Sequence, residues 1–156
     1  MISVDIRDEQ KIFSLNPRAL RAFLKEAIRF LLPGQRCRLS LALVEDDAIR
    51  RLNAQYLGKS QPTDVLAFSM REGFSLSGDS SLLGDLMIST ETALRNAKRF
   101  RSSSDREFAL YLIHGVLHLL GYEDRTPSQK RRMRKEEKRV LRHCARSVPL
   151  KKLFTA

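Results

Sequence analysis

His114 and His118 stand four residues apart in the stretch YLIHGVLHLLGYED, residues 111–124, and two carboxylates, Glu123 and Asp124, close it. Residues at i and i+4 lie on one helix face, about one turn apart, so the two imidazoles can point at a common spot. A single tetrahedral metal ion can accept both, and a catalytic zinc takes three protein ligands plus an open position. A continuous helix cannot supply the third ligand from position 124, because six further residues at about 100° each point the wrong way. Gly121 resolves this. Glycine tolerates the left-handed conformation that ends helices, so the chain can turn back there and bring Asp124 toward the histidines.

A lone buried histidine is commonly a satisfied core residue. Here Phe108, Leu110, Leu112, Ile113, Val116, Leu117, Leu119 and Leu120 surround the pair. Imidazoles placed among them without partners are costly, so either a metal or a network of water and carboxylate has to serve them. The residue after His114 is Gly115, not glutamate. The general base of the HExxH metalloproteases is therefore missing, which argues against peptidase chemistry.

The elements that must position this group follow from periodicity and caps. The spacing predicts a strand at SVDI and a helix after Asn16-Pro17, with Leu20, Phe23, Leu24, Ala27, Ile28 and Leu31 on one stripe and Pro33-Gly34 as the stop. CRLSLALV alternates as a strand, EDDAIRRLNAQYLG reads as a helix ending at Gly58, and DVLAFSM and LLGDLMIS read as strands. REGFSLSGDSS, between those two strands, reads as a loop, and TETALRNAKRF as a helix. Ser104-x-x-Glu107 has the capping-box pattern and opens the oily helix 105–120; Thr126-x-x-Gln129 repeats it and opens a basic helix 127–146 with Met133, Val140, Leu141 and Cys144 as a thin apolar stripe. Strands interleave with helices. The expectation is an α+β fold, a small mixed sheet of about four strands packed with about five helices, in one domain spanning 1–156 with a basic helix and tail at 126–156.

The chain has 156 residues, 42% hydrophobic, and a net charge of +11. From Arg125 to Lys152 there are 12 Lys/Arg and 2 Asp/Glu, so nearly all of the excess sits in that segment. Such asymmetry suggests a polyanion partner. Like charges at i, i+4 weaken a helix in isolation, and a sequence that keeps that cost binds phosphates. The stripe lacks the aromatic residues of an interfacial helix, which disfavours a membrane surface. Nothing in the sequence reaches the roughly 20 apolar residues of a membrane span, nor does its start read as a signal peptide. Cys37 and Cys144 form no CxxC motif and read as reduced thiols, so the expected location is cytoplasmic.

Three stretches together resemble a known family. HGVLHLLGYED resembles the HGxLHLxGYDH signature of the bacterial YbeY family, metal-dependent endoribonucleases of ribosomal RNA maturation. LNAQYLGKSQPTDVLAF resembles that family's LNxxYRxxxxPTDVLSFP segment, and LLGDLMIS its LGDIxIS strand. They come in the family's order and span residues 52–124. Two departures stand out. The family's third metal ligand is histidine where this chain has Asp124, and the arginine assigned to catalysis is here Leu57. Two histidines plus a carboxylate form a known catalytic zinc set, and the carboxylate admits harder divalent metals as well.

The resemblance implies a single-strand-specific endoribonuclease that matures the 3′ end of small-subunit ribosomal RNA and serves ribosome quality control. It would act with one zinc, or another divalent ion, per chain, on His114, His118 and Asp124. Catalysis would run through water activated at His114 and His118. The expected partners are ribosomal RNA and ribosomal particles, with no membrane and no small-molecule cofactor. The alternative, favoured by Leu57, is an RNA-binding ribosome-assembly factor with weak or no nuclease activity. Lys59, Arg71 and Arg125 are candidate phosphate contacts by their nearness to the motifs, and Arg131, Arg134 and Lys138 by their place on the basic helix. Thr63 and Asp64 open a strand that the resemblance sets beside the metal cleft. Asp85, an acid inside a strand, is a candidate for holding a ligand histidine, and His143 reads as a surface residue.

Overall fold

The structure is a computed structural model that describes residues 1–57, 65–69 and 82–155. Four strands, β1 (Ile2–Asp8), β2 (Cys37–Val44), β3 (Val65–Ser69) and β4 (Leu82–Ser89), form one sheet in the order β1-β2-β4-β3. The pairs β1–β2 and β2–β4 are parallel and β3–β4 is antiparallel, so the sheet is mixed. Among the described residues five α-helices accompany them: α1 (Pro17–Leu31), α2 (Asp46–Leu57), α3 (Thr90–Arg99), α4 (Ser104–Leu119) and α5 (Pro127–Ser147). The α+β expectation holds, and β2 and β4 have the bounds of the expected strands CRLSLALV and LLGDLMIS. Strand β1 is longer than SVDI, because parallel pairing with β2 carries it from Ile2 to Asp8.

Side-chain alternation splits the sheet into two faces. Val4, Leu39, Leu41, Leu43, Leu86 and Ile88 face α1 and α4 in the main core, on which α5 packs, with Phe23 and Phe108 among its fully buried side chains. On the other face Ala42, Val44 and Leu66 pack with Ile49 of α2. Helix α4 lies close against the first face. A Cβ at Gly115 would stand 2.8 Å from Leu86 Cδ2 and 3.2 Å from Val65 Cγ1, so any larger residue there would have to displace the Leu86 side chain.

The caps are local and largely as the sequence suggests. Asn16 accepts from the Ala19 amide, with Pro17 at the first position of α1. Thr126 and Gln129 make the reciprocal capping box of α5. The start of α4 differs by one residue: Ser103, not Ser104, is extended and accepts from the Arg106 amide. Three adjacent serines offer the same hydroxyl, and the chain's exit from α3 chooses among them. A 3-10 turn at Leu150–Leu153, unforeseen in the sequence, returns the tail to α1, where the Asn16 amide donates to the Leu153 carbonyl at 2.9 Å.

One buried carboxylate joins α2 to α3. Asp46 Oδ1 accepts from the Ser89 hydroxyl and from Thr92 Oγ1 at 2.8 Å, and Oδ2 accepts from Arg95 Nη1 at 2.6 Å. The Asp46 amide donates to Glu91 Oε1 at 2.8 Å. Burial pushes the Asp46 carboxyl up, but the hydrogen bonds from Ser89, Arg95 and Thr92, together with the charge of Arg95, outweigh it and leave its pKa below the ordinary 3.8. A depressed folded value means that the carboxylate's stabilisation is complete above 3.8 and is lost as pH falls through the lowered value. Arg95 is more than half exposed, so its ionic share is screened. Asp46→Asn is therefore expected to lower stability by about 1–2 kcal/mol at pH 7, with the gap from the parent closing below about pH 4. Urea midpoints across pH check this, and a gap independent of pH would refute the ionic origin.

Candidate metal centre

Helix α4 is buried along most of its circumference, including Phe108, Ala109, Tyr111, Leu112, Ile113, Val116, Leu117 and Leu119. Leu110, His114 and His118 are only half-buried. Their spacing of four puts them on one stripe, the least buried part of the helix. The oily run around the histidines is core, and the histidines themselves look out of it. Both rings bring Nε2 to the same point: the two nitrogens are 2.9 Å apart, with the ring planes nearly perpendicular.

Past α4 the chain reverses as the glycine predicts. Gly121 has φ +99°, its amide donates to the His118 carbonyl at 3.0 Å, and the Tyr122 amide donates to the Leu117 carbonyl at 3.0 Å. This is a Schellman termination, and it satisfies two of the helix's last carbonyls. The reversal carries Asp124 back over the last turn. Its Oδ2 lies 3.4 Å from His114 Nε2 and 3.6 Å from His118 Nε2. Glu123, the other carboxylate, turns elsewhere: its Oε2 accepts from Gln129 Nε2 at 3.3 Å, beside the cap of α5.

A residue that the sequence reading passed over completes the group. Glu137 Oε1 of α5 lies 2.7 Å from His114 Nδ1. An ionised carboxylate only accepts, so this contact favours a proton on His114 Nδ1, and in the neutral ring that form leaves the Nε2 lone pair toward His118 and Asp124. Two ring nitrogens and a carboxylate oxygen then face one another at 2.9–3.6 Å. Such a triangle of acceptors is repulsive unless a shared proton or a cation occupies it. Ligands about 2.0–2.2 Å from a tetrahedral ion stand about 3.4 Å from each other, so the separations fit a divalent metal. Among the described residues the three form a group that could hold an ion. The side chain of Asp124 keeps 40% exposure against 19% for His114, so the group opens to solvent on the carboxylate side.

The signal for Glu137 was present in the sequence. It follows Met133 by four residues and precedes Val140, Leu141 and Cys144 by three, four and seven, which places it on the apolar stripe of a basic helix. Its neighbour Glu136 faces out and pairs with Arg139 at 2.8 Å.

Other candidates fall differently. Asp85 does not serve a histidine: with Asp5, Arg7, Ser40 and Phe68 it lines a groove of about 600 Å³ on the sheet face opposite α4. Strand alternation decides this, because its neighbour Leu86 is the one that packs under Gly115. His143 is less open than its expected surface position. It is half-buried, stacked on Phe30 and 2.9 Å from Glu26 Oε1. Arg125, Arg131, Arg134 and Lys138 are exposed. Lys59, Arg71, Thr63 and Asp64, Gly58 and the predicted loop REGFSLSGDSS lie outside the described residues, as does the side chain of Leu57, the last residue of α2. Cys37 and Cys144 are buried thiols, and burial, aided by Glu26, pushes Cys144 up to about 12. No described helix is long and apolar enough to cross a membrane.

Comparison with known proteins identifies relatives of this chain. The family model for endoribonuclease YbeY matches residues 4–145. A protein named endoribonuclease YbeY from Heliobacterium modesticaldum is 43% identical over 119 residues, covering 71% of this chain and 72% of that one. Another of the same name, from Syntrophus aciditrophicus, is 35% identical over 141 residues, covering 89% and 88%. The solution structure of a Thermotoga maritima protein superposes with a TM-score of 0.61 at 25% identity, covering 97% of this chain and 95% of that one. With a family model matched from the first strand into the last turn of the basic helix, the chain belongs to the endoribonuclease YbeY family.

Proposed function

We propose that this protein is a metal-dependent endoribonuclease that cleaves single-stranded ribosomal RNA during maturation of the small-subunit 3′ end, working in the cytoplasm on ribosomal particles. In this reading His114, His118 and Asp124 hold one divalent ion, zinc first among the candidates. The observation that carries the reading is the convergence of those three side chains at an opening on α4, in a chain that belongs to an endoribonuclease family.

Phosphodiester cleavage needs an activated nucleophile, relief of charge on the transferring phosphorus group and a proton for the leaving oxygen. What a divalent ion supplies when bound is Lewis acidity toward water and toward a phosphoryl oxygen. The chain's own part is to hold and to orient. His114 and His118 are fixed by the buried faces of α4, and Asp124 by the Gly121 reversal. Asp124 in place of a neutral histidine adds one negative charge, which makes water at such a site less acidic than three imidazoles would.

The RNA strand, in this reading, meets α5 and Arg125 at the helix's start. Arg131, Arg134 and Lys138 occur at i, i+3 and i+7 and so form one exposed stripe. The cap box anchors the start of the helix, and the Arg132 guanidinium stacks over the Tyr122 ring at 5.0 Å, tying the basic helix to the loop that carries Asp124. Lys59 and Arg71 remain part of the proposal as further phosphate contacts.

Cleavage tests the function directly. Metal-replete protein should cut single-stranded RNA from the 3′ region of small-subunit ribosomal RNA, and His114→Ala should slow cutting at least about a hundredfold. Equal rates for the two proteins would defeat the reading.

Metal analysis tests the ligand set. About one divalent ion per chain is expected, lost in His118→Ala and markedly weakened in Asp124→Ala, while Glu123→Ala retains it. Loss of the ion from the Glu123 variant alone would assign the wrong carboxylate.

The basic stripe predicts salt dependence. Replacing Arg131, Arg134 and Lys138 together by glutamine should flatten the slope of log affinity against log salt by about 2 for a single strand. An unchanged slope would take α5 out of the RNA interface.

A further inference from the structure

We infer that Glu137 is a positioning residue for the metal centre, selecting the ring tautomer that lets His114 present Nε2. The inference rests on the proposed ligand set and extends it to a residue of another helix.

An imidazole offers one lone pair when neutral, on whichever nitrogen lacks the proton. If His114 kept its proton on Nε2, that N–H would point into the triangle of His118 Nε2 and Asp124 Oδ2 and block it to a cation. The contact at Nδ1 decides between the two forms. Glu137 Oε1, at 2.7 Å, can only accept, and so draws the proton to Nδ1. A carboxylate behind a ligand histidine also strengthens the ring as an electron donor and fixes its rotation about the Cβ–Cγ bond.

Glu137 is itself held in place. It lies on the stripe by which α5 meets the core, between Met133 one turn before it and Val140 and Leu141 one turn after, all three buried. Its side chain keeps only 15% exposure, and the approach to His114 comes from α5 packing on α4 rather than from a mobile surface rotamer. An ordinary salt link would not need this position. In a helix with so many cations, a carboxylate meant to neutralise charge is better placed outward, as Glu136 is with Arg139. The inward acid is matched to a neutral-capable ring at a ligand position.

The same contact also braces α5 against α4, so the test must separate aiming from bracing. Two variants are compared with the parent, Glu137→Ala and Glu137→Gln, the second keeping an acceptor oxygen of the same reach. The first readout is the His114 ring tautomer in metal-free protein at pH 8, taken from long-range nitrogen–proton NMR correlations. The second is zinc affinity, by competition with a chromogenic chelator. In the parent His114 should be in the Nδ1–H form. Glu137→Ala should move it toward Nε2–H and weaken zinc by about 10–100-fold. Glu137→Gln should hold the tautomer and lose a smaller part of the affinity.

A parent already in the Nε2–H form, or a Glu137→Ala protein that keeps the Nδ1–H form and binds zinc within twofold of the parent, overturns the inference. If Glu137→Ala does not fold, the glutamine variant decides: zinc affinity within twofold of the parent refutes the role of the charge. Should the parent bind no zinc, the ligand set falls, and the tautomer measurement still judges Glu137 by itself.

Discussion

Everything at the metal centre depends on how closely α4 can lie on the sheet. At Gly115 a side chain would press on Leu86 and Val65, and with glycine there the helix settles with its broad apolar face inward. That choice fixes its rotation. With Phe108, Leu112, Ile113 and Val116 committed to the core, the stripe holding His114 and His118 has one direction left, outward and toward α5. Full burial of a Leu- or Phe-sized side chain is worth about 1.5–3 kcal/mol, so rotating α4 by even a third of a turn would forfeit several such terms. The imidazoles are thus oriented by the hydrophobic effect acting on their neighbours.

Helix α5 carries three kinds of residue on two faces. Met133, Val140, Leu141 and Cys144 face the core, Glu137 faces His114, and the arginines and lysines face solvent. The cations would repel one another in an isolated helix. Tertiary burial of the apolar stripe outweighs that repulsion and leaves the charges available for phosphate. The carboxylates of Asp124 and Glu137 sit at the edge of this positive surface. A divalent ion there would meet two negative charges nearby, so the pocket for the metal and the surface for the polyanion keep distinct local signs.

Binding of this kind needs a frame that does not shear, and the polar joint at Asp46 serves it. One carboxylate gathers Ser89, Thr92 and Arg95, and its amide reaches Glu91. Ser89 ends β4 and caps α3, while Asp46 opens α2 just after β2. The exits of two adjacent parallel strands are thereby locked together, and α3 leads directly to α4.

Much of this was legible in the sequence, and the reason is locality. Alternation over CRLSLALV, the Asn16-Pro17 and Thr126–Gln129 caps, the i, i+4 histidines and the Gly121 reversal each involve groups within a few residues, where backbone geometry leaves few choices. The same holds for the charge of α5 and for the resemblance that spans residues 52–124. Other features needed the assembled molecule. The cap of α4 is Ser103 because the path out of α3, not serine chemistry, selects among three equal hydroxyls. Asp85 faces away from the histidines because β4 presents Leu86 to the core instead. Glu137 reaches His114 across 23 residues, through the packing of one helix on another. Local periodicity could place that acid on an inward stripe, but only the tertiary structure could decide which ring it meets, since the partner is chosen by the position and rotation of two helices relative to a common sheet.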